Sequence, residues 1–266
     1  MAQIACLHAK SDVERFCRRN PFLHLYALGD LDDFFWPNTT WFALKEGDDI
    51  RQLALLYTDW AMRMPTLLAL GDPPVQPLAE LLHGVAPALP RRFHAHISPG
   101  AADALRPEYH IGTLGDFHKM GLTHPSRVDA VDAGSATQLV PSDTKGLLAL
   151  YDVAYPGHWF VPRMLETGFY FGIRGDASIL SVAGVHVYSQ TYKVAALGNV
   201  ATHPAARGQG LAAIVVARAC QEHLRAGVKT IGLNVKADNL AAIACYRKLG
   251  FEPVADYREH TLSVRA

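Results

Sequence analysis

Residues 203 to 212 read H-P-A-A-R-G-Q-G-L-A, and they hold the residue types best suited to gripping an anion. Glycines at 208 and 210 let the backbone take left-handed dihedrals and approach a ligand closely. Leu211 opens an alanine-rich segment whose first amides have no intrahelical acceptor. A turn of this kind binds phosphate, and it also serves as a plain strand-to-helix connection. Two other phosphate loops are excluded: no Gly-Lys-Ser/Thr follows, as a P-loop requires, and the glycine spacing and late position do not fit the dinucleotide-binding fingerprint.

The loop has to be held by what flanks it. Tyr192 to Val200 predicts a strand, and His203-Pro204 breaks it. Past the glycines, Arg218, Gln221, Glu222 and Arg225 share one helical face while Val216, Cys220 and Leu224 lie opposite, which predicts an amphipathic helix docked on a sheet. Ile231, Leu233 and Val235 then alternate with polar or small residues at the period of a half-buried strand. Asp238-Asn239 supplies a cap for one more helix, Tyr246 lies two turns along it, and Gly250 sits where a left-handed residue would end it.

These stretches resemble the GNAT superfamily of acyl-CoA-dependent N-acetyltransferases. Arg207-x-x-Gly210-x-Ala212 is similar to the family's pyrophosphate loop, and Asn239-x-x-Ala242-x-x-x-Tyr246-x-x-x-Gly250-Phe251 to its downstream helix. The resemblance covers residues 137 to 262 and is sharp between 197 and 251. It implies an α/β (α+β) domain with a mixed, mostly antiparallel sheet flanked by helices. It also implies acetyl-CoA (coenzyme A) as co-substrate, no metal, and a primary amine of a small molecule, amino acid or protein as acceptor. By the same resemblance, Arg207 and the amides of Gly208, Gln209, Gly210, Leu211 and Ala212 hold the pyrophosphate. Val200, Ala201 and Thr202 meet the pantetheine arm where two central strands splay, and Asn239 touches the same arm.

Acyl transfer from a thioester to an amine needs a neutral amine, a stabilised oxyanion and a proton for the departing thiolate. The resemblance makes Tyr246 the general acid; a phenol titrating at about 10 stays protonated at neutral pH. Read from its helix alone, Tyr246 is equally a core residue. Many family members carry a glutamate on the strand before the loop, whereas this strand offers Leu197-Gly198-Asn199. His186 and Glu166 are the remaining candidate bases, acting through water, and Asn199 could orient that water. The missing acid leaves open a sensor or scaffold that binds acyl-CoA without turnover.

Composition sets further bounds. With 266 residues, half of them apolar, the chain can bury one large core or two ordinary ones. Lys plus Arg and Asp plus Glu are 25 each, so no global field favours nucleic acid or anionic lipid, and neither is an expected partner. No basic-then-apolar leader opens residues 1 to 9 and no apolar run approaches a membrane span, which makes a cytoplasmic protein the expectation. Cys6, Cys17, Cys220 and Cys245 show no metal-type spacing and read as reduced packing residues. His94-x-His96 is the one close histidine pair, and it reads as a solvated strand or loop rather than a metal site.

The first half reads as helix over 11 to 28, with Ser11 and Glu14 as a capping box and a break at Asn20-Pro21. An acid-and-aromatic cluster at 32 to 36 follows, whose aromatics are expected to close a small core. Strands are expected at 41–44, 52–57 and 66–70, a helix at 75–83 and a strand at 93–97. That order matches the second half without its motifs, so residues 1–124 are expected to form a smaller α/β domain, a degenerate GNAT-like repeat, and 137–266 the acetyltransferase domain. In the second half, Tyr155 to Pro162 is an aromatic loop, which the resemblance places at the acceptor pocket. An N-terminal half joined to a GNAT-like half is also similar in layout to glycine N-acyltransferases, which makes longer-chain or glycine-type transfer the alternative.

Overall fold

The computed structural model describes residues 2–59, 64–176 and 178–265. The chain forms two compact units, one of Met1–Lys119, Lys236–Asp238 and Val254–Ala266, the other of Met120–Val235 and Asn239–Pro253. The first unit contains β1 (Ala2–Leu7), α1 (Lys10–Cys17), α2 (Leu25–Gly29), β2 (Thr39–Glu46), β3 (Asp49–Tyr57), β4 (Thr66–Ala69), α3 (Gln76–Val85), β5 (Arg92–Ile97) and most of β6 (Tyr109–Leu122). The second contains α4 (Ser126–Asp129), β7 (Thr137–Gln138), α5 (Thr144–Ala154), β8 (Phe171–Arg174), β9 (Ile179–Ser189), β10 (Val194–Thr202), α6 (Leu211–Arg225), β11 (Thr230–Lys236) and α7 (Leu240–Lys248). The last strand, β12 (Phe251–Val264), starts in the second unit and from Val254 belongs to the first, where it pairs with β5. A contiguous domain over 137–266 therefore does not describe the compact units, because the ladder with β5 claims the end of the chain.

The two units share one topology. In the first, β1, β2, β3 and β4 pair antiparallel in sequence and β4 pairs parallel with β5. In the second, β7, β8, β9 and β10 do the same and β10 pairs parallel with β11. Each parallel pair is bridged by a helix, as a parallel connection requires. Strand alternation decides the faces: Phe93, Ala95 and Ile97 of β5 bury against Leu78, Leu81, Leu82 and Val85 of α3, which leaves His94 and His96 on the opposite face. There His94 is 4% exposed and His96 half-buried, so the pair is less solvated than expected.

The first unit lacks the devices of the second. Its β4-to-α3 connection reads Leu70-Gly71-Asp72-Pro73-Pro74-Val75, where two prolines remove amide donors and an aspartate adds negative charge. In place of α7 it has only a 3-10 turn at Ala102–Leu105.

Several local expectations shift. The first helix starts at Lys10, so Ser11 lies inside it and makes no cap hydrogen bond. Phe34 is exposed rather than part of a small core, although Trp36 stacks on buried Trp41 at 5.8 Å. Cys6 is exposed, while Cys17 and Cys220 are buried. Among the described residues no helix is long and apolar enough to cross a membrane.

On α6 the buried stripe is Val215, Val216, Ala217, Ala219, Cys220 and His223, and Leu224 is only half-buried. His223 takes the inner position because its ring stacks on Phe169 at 4.0 Å and its Nδ1 lies 2.7 Å from the Ala219 carbonyl, to which it donates. Burial pulls this imidazole down to about 4, and it does the same to His24 of the first unit, down to about 3. In the unfolded chain both titrate at about 6.5. Below that pH the unfolded chain takes protons that the folded chain refuses, so the stability these groups permit is complete above about 6.5 and is lost as pH falls toward the folded values. At pH 5 each group destabilises the fold by about 2 kcal/mol relative to pH 7. Thermal melts from pH 7.5 to 4.5 are expected to show a falling midpoint, with a shallower fall in His223→Gln than in wild type.

Candidate active site

The site is built on the end of β10. This strand pairs parallel with β11 only from Val194 to Leu197, against Thr230 to Leu233, yet it continues to Thr202 while β11 continues to Lys236. The expected splay is therefore present, and among the described residues it leaves the backbone of Val200, Ala201 and Thr202 unregistered toward β11. On the other edge, the ladder with β9 shifts register between Ala196 and Leu197 and again between Gly198 and Ala201. Asn199 lies in the second bulge with φ 52, a left-handed conformation that asparagine tolerates.

Buried tyrosines hold that bulge. The Tyr151 hydroxyl donates to the Asn199 carbonyl at 2.9 Å, and Asn199 Nδ2 donates to the Tyr170 hydroxyl at 2.9 Å. Tyr170 in turn donates to the Val185 carbonyl at 3.4 Å. Both phenols are fully buried, and burial pushes both upward from the ordinary tyrosine value, so each remains a donor. Asn199, expected to orient a water, is buried, and its Oδ1 has no hydrogen-bond partner among the described residues. The supporting tyrosines escaped the sequence reading because each is one aromatic among many; the signal that could have found Tyr170 is Gly184. A Cβ on Gly184 would lie 2.1 Å from the Tyr170 ring, so only glycine admits it.

Beyond Thr202 the chain makes a 3-10 turn at Pro204–Ala206 and enters the glycine loop. Gly208 and Gly210 have φ of 80 and 76, and a Cβ on either would meet nothing within 4 Å. Gly210 is the N-cap of α6, so no side chain caps the helix, and its first turn contains no acid. Fifteen residues of helix thus aim their positive end and unsatisfied amides at an open turn, the arrangement that favours a phosphate. Arg207 is exposed beside it, its guanidinium reaching the Thr202 carbonyl at 3.4 Å.

The other candidates separate. Asn239 caps α7, its Oδ1 accepting from the Ala242 amide at 3.2 Å. Tyr246, two turns on, is buried beside Phe251 at 6.0 Å; burial pushes its phenol up, with Cys245 and Tyr155 of the aromatic loop adding to the rise. Burial likewise raises the Cys245 thiol, which fits a bystander rather than a nucleophile. His186 is half-buried with its ring over Gly198, where a Cβ would come within 2.4 Å. Glu166 is exposed on the 3-10 turn Pro162–Thr167, two positions from Met164, whose sulfur lies 3.6 Å from Asn199 Nδ2. Two positions on a three-residue turn point to different sides, so Glu166 is not brought to the strand.

The expected effect of Gly184→Ala follows from this packing. Its methyl forces Tyr170 off Asn199, and chemical unfolding should show destabilisation of about 1–3 kcal/mol with the transition still cooperative.

Residues 144–251 match the model of the acetyltransferase (GNAT) family. No curated protein matches the chain. Among solved structures, a Drosophila protein superposes with TM-score 0.68 over 98% of both chains at 14% identity. A tandem GNAT protein from the clavulanic acid biosynthesis pathway superposes with TM-score 0.54 over 98% of both chains at 17% identity. A GNAT-family protein of Novosphingobium aromaticivorans does so with TM-score 0.58 over 80% of this chain and 89% of its own, at 19% identity. At these identities the likeness is one of fold, and it spans both units.

Proposed function

We propose, from the premise that the chain belongs to the GNAT acetyltransferase family through its second unit, that it transfers an acetyl group from acetyl-CoA to a primary amine by direct attack. The acceptor is an amine of a small molecule, an amino acid or a protein. The observation that carries this reading is the junction of the open edge at Val200–Thr202 with a left-handed glycine loop at an uncapped helix N-terminus. Extended pantetheine matches a strand edge, and pyrophosphate matches the loop that follows.

In this reading Arg207 and the amides of Gly208 to Ala212 hold the pyrophosphate, and Asn239 Nδ2, its Oδ1 being engaged in the cap, faces the arm. The amine nitrogen attacks the thioester carbonyl, a C–N bond forms and the C–S bond breaks. The nitrogen's proton leaves through water toward His186, and the thiolate takes its proton from Tyr246. Burial keeps that phenol in its acid form.

Coenzyme A release from acetyl-CoA, measured over a panel of amines and amino acids, tests the reading. Turnover with one acceptor class is expected, slowed at least about tenfold in Tyr246→Phe with cofactor affinity unchanged. Arg207→Glu is expected to weaken cofactor binding. Turnover only with longer acyl donors would favour the glycine-type alternative. Binding that Arg207→Glu abolishes, with no turnover for any donor, would replace the enzyme with a sensor.

A further inference from the structure

Within the first unit, β5 and β12 pair antiparallel with His96 opposite Glu259 and His94 opposite Thr261. Alternation then puts His94, His96 and Glu259 on one face of that pair, away from the α3 core. His94 Nε2 lies 3.5 Å from Glu259 Oε2, and His96 Nε2 lies 3.4 Å from Oε1. The two imidazoles meet edge to face at 5.1 Å, and the three ligating atoms lie within 4.8 Å of one another. We propose that His94, His96 and Glu259 are the three protein ligands of a four-coordinate divalent transition-metal site, zinc by donor chemistry, that ties β5 to β12.

The separations leave room for a metal shared by the three groups. A charge-assisted N–H to carboxylate hydrogen bond runs at about 2.7–2.9 Å, shorter than either contact. The edge of a tetrahedron with metal–ligand bonds of about 2.0–2.1 Å is about 3.4 Å, whereas cis ligands of an octahedral site with such bonds stand about 2.9 Å apart. Each imidazole nitrogen stands about one tetrahedral edge from its own carboxylate oxygen, His96 from Oε1 and His94 from Oε2, and all three groups converge within 4.8 Å. Two neutral imidazoles and one carboxylate form a set that zinc accepts, and the donors are too few in oxygen for magnesium or calcium. His94 is enclosed, while His96 and Glu259 retain 14% and 16% side-chain exposure, so solvent reaches two of the three ligands.

The surroundings orient the ligands. The Tyr257 hydroxyl donates to Glu259 Oε1 at 3.1 Å, its ring packs on His96 at 4.9 Å, and Phe117 stacks on it at 5.4 Å. A carboxylate fixed by an outer hydrogen bond and an imidazole fixed by a packed ring are the second layer that metal sites use. Sequence reading could not assemble this set, because β5 supplies two ligands and the third comes from the last strand of the chain.

The test uses the untagged full-length protein, stripped with chelator, then titrated with ZnCl2 and with CoCl2. One equivalent of zinc is expected to bind and to survive gel filtration. Cobalt is expected to give the intense visible bands of four-coordinate Co2+. Glu259→Gln and His96→Gln should weaken zinc affinity by about 100-fold or more, and Tyr257→Phe, which removes a single oxygen, by about 10- to 100-fold. Zinc should raise the thermal midpoint of wild type and leave that of Glu259→Gln unchanged. Wild-type affinity equal to that of Glu259→Gln, several weak equivalents in place of one, or a six-coordinate cobalt spectrum would each overturn the proposal. None of these readouts depends on acyl transfer, so the site and the proposed activity stand or fall separately.

Discussion

A strand edge can donate its backbone groups to a neighbouring strand or to a ligand, but not to both. The second unit depends on how β10 makes that switch within one element. Up to Leu197 it is an interior strand with partners on both sides, and from there its register with β11 ends. The switch is produced by the bulge at Asn199, whose left-handed backbone turns the strand. An isolated bulge would leave polar groups stranded in the core. Here the Tyr151 hydroxyl takes up the carbonyl of Asn199 and the Tyr170 hydroxyl its Nδ2, which leaves its Oδ1 without a partner among the described residues, and Gly184 and Gly198 vacate the space for Tyr170 and His186. The opening thus rests on two hydrogen bonds and two missing side chains.

Two units with the same strand order have arrived at different chemistry, and amide supply accounts for the difference. In the second unit the parallel connection carries glycines and feeds a helix whose first amides point into open space. In the first, Pro73, Pro74 and Pro77 remove donors at the corresponding turn, and no helix like α7 follows β5. Its polar residues lie elsewhere. Lys119 is buried with its ammonium over Tyr26 at 4.8 Å, and burial draws it down to about 7; burial raises Asp30 to about 8. Burial of this kind favours the neutral form of each group, so neither presents a full charge to a ligand.

What could be read from the sequence follows the range of the interactions involved. The glycine loop, the Asn239 cap and the left-handed Gly250 are local, set by a few consecutive residues, and they stand where the spacing puts them. The strands on either side of each parallel connection are legible because hydrophobic alternation and turn residues are also local. Strands β1, β6, β7 and β12 are not among the sequence expectations; the residues of β6 and β12 are divided between the two units, and composition carries no trace of which unit claims a strand. The stripe on α6 was misread at one position, since a helical wheel ranks leucine above histidine and cannot see that Phe169 offers an aromatic face. Glu166, a candidate base acting through water, is exposed on a turn whose Met164 reaches Asn199 instead, a placement that the residue type alone does not indicate.

Burial of Tyr246 bears on both halves of the proposed chemistry. Enclosure that raises the phenol makes it a weaker acid, which taken alone would slow protonation of a leaving thiolate. The thiolate formed beside it would be in the same poorly solvated region, where its own affinity for a proton rises for the same reason. The difference between the two groups, which sets the driving force for transfer, therefore changes less than either value. Cys245 offers an internal comparison, because its thiol is raised by burial one residue away on the same helix. A phenol and a sulfur enclosed together stay matched, and burial disfavours the ionised form of an acid at that position.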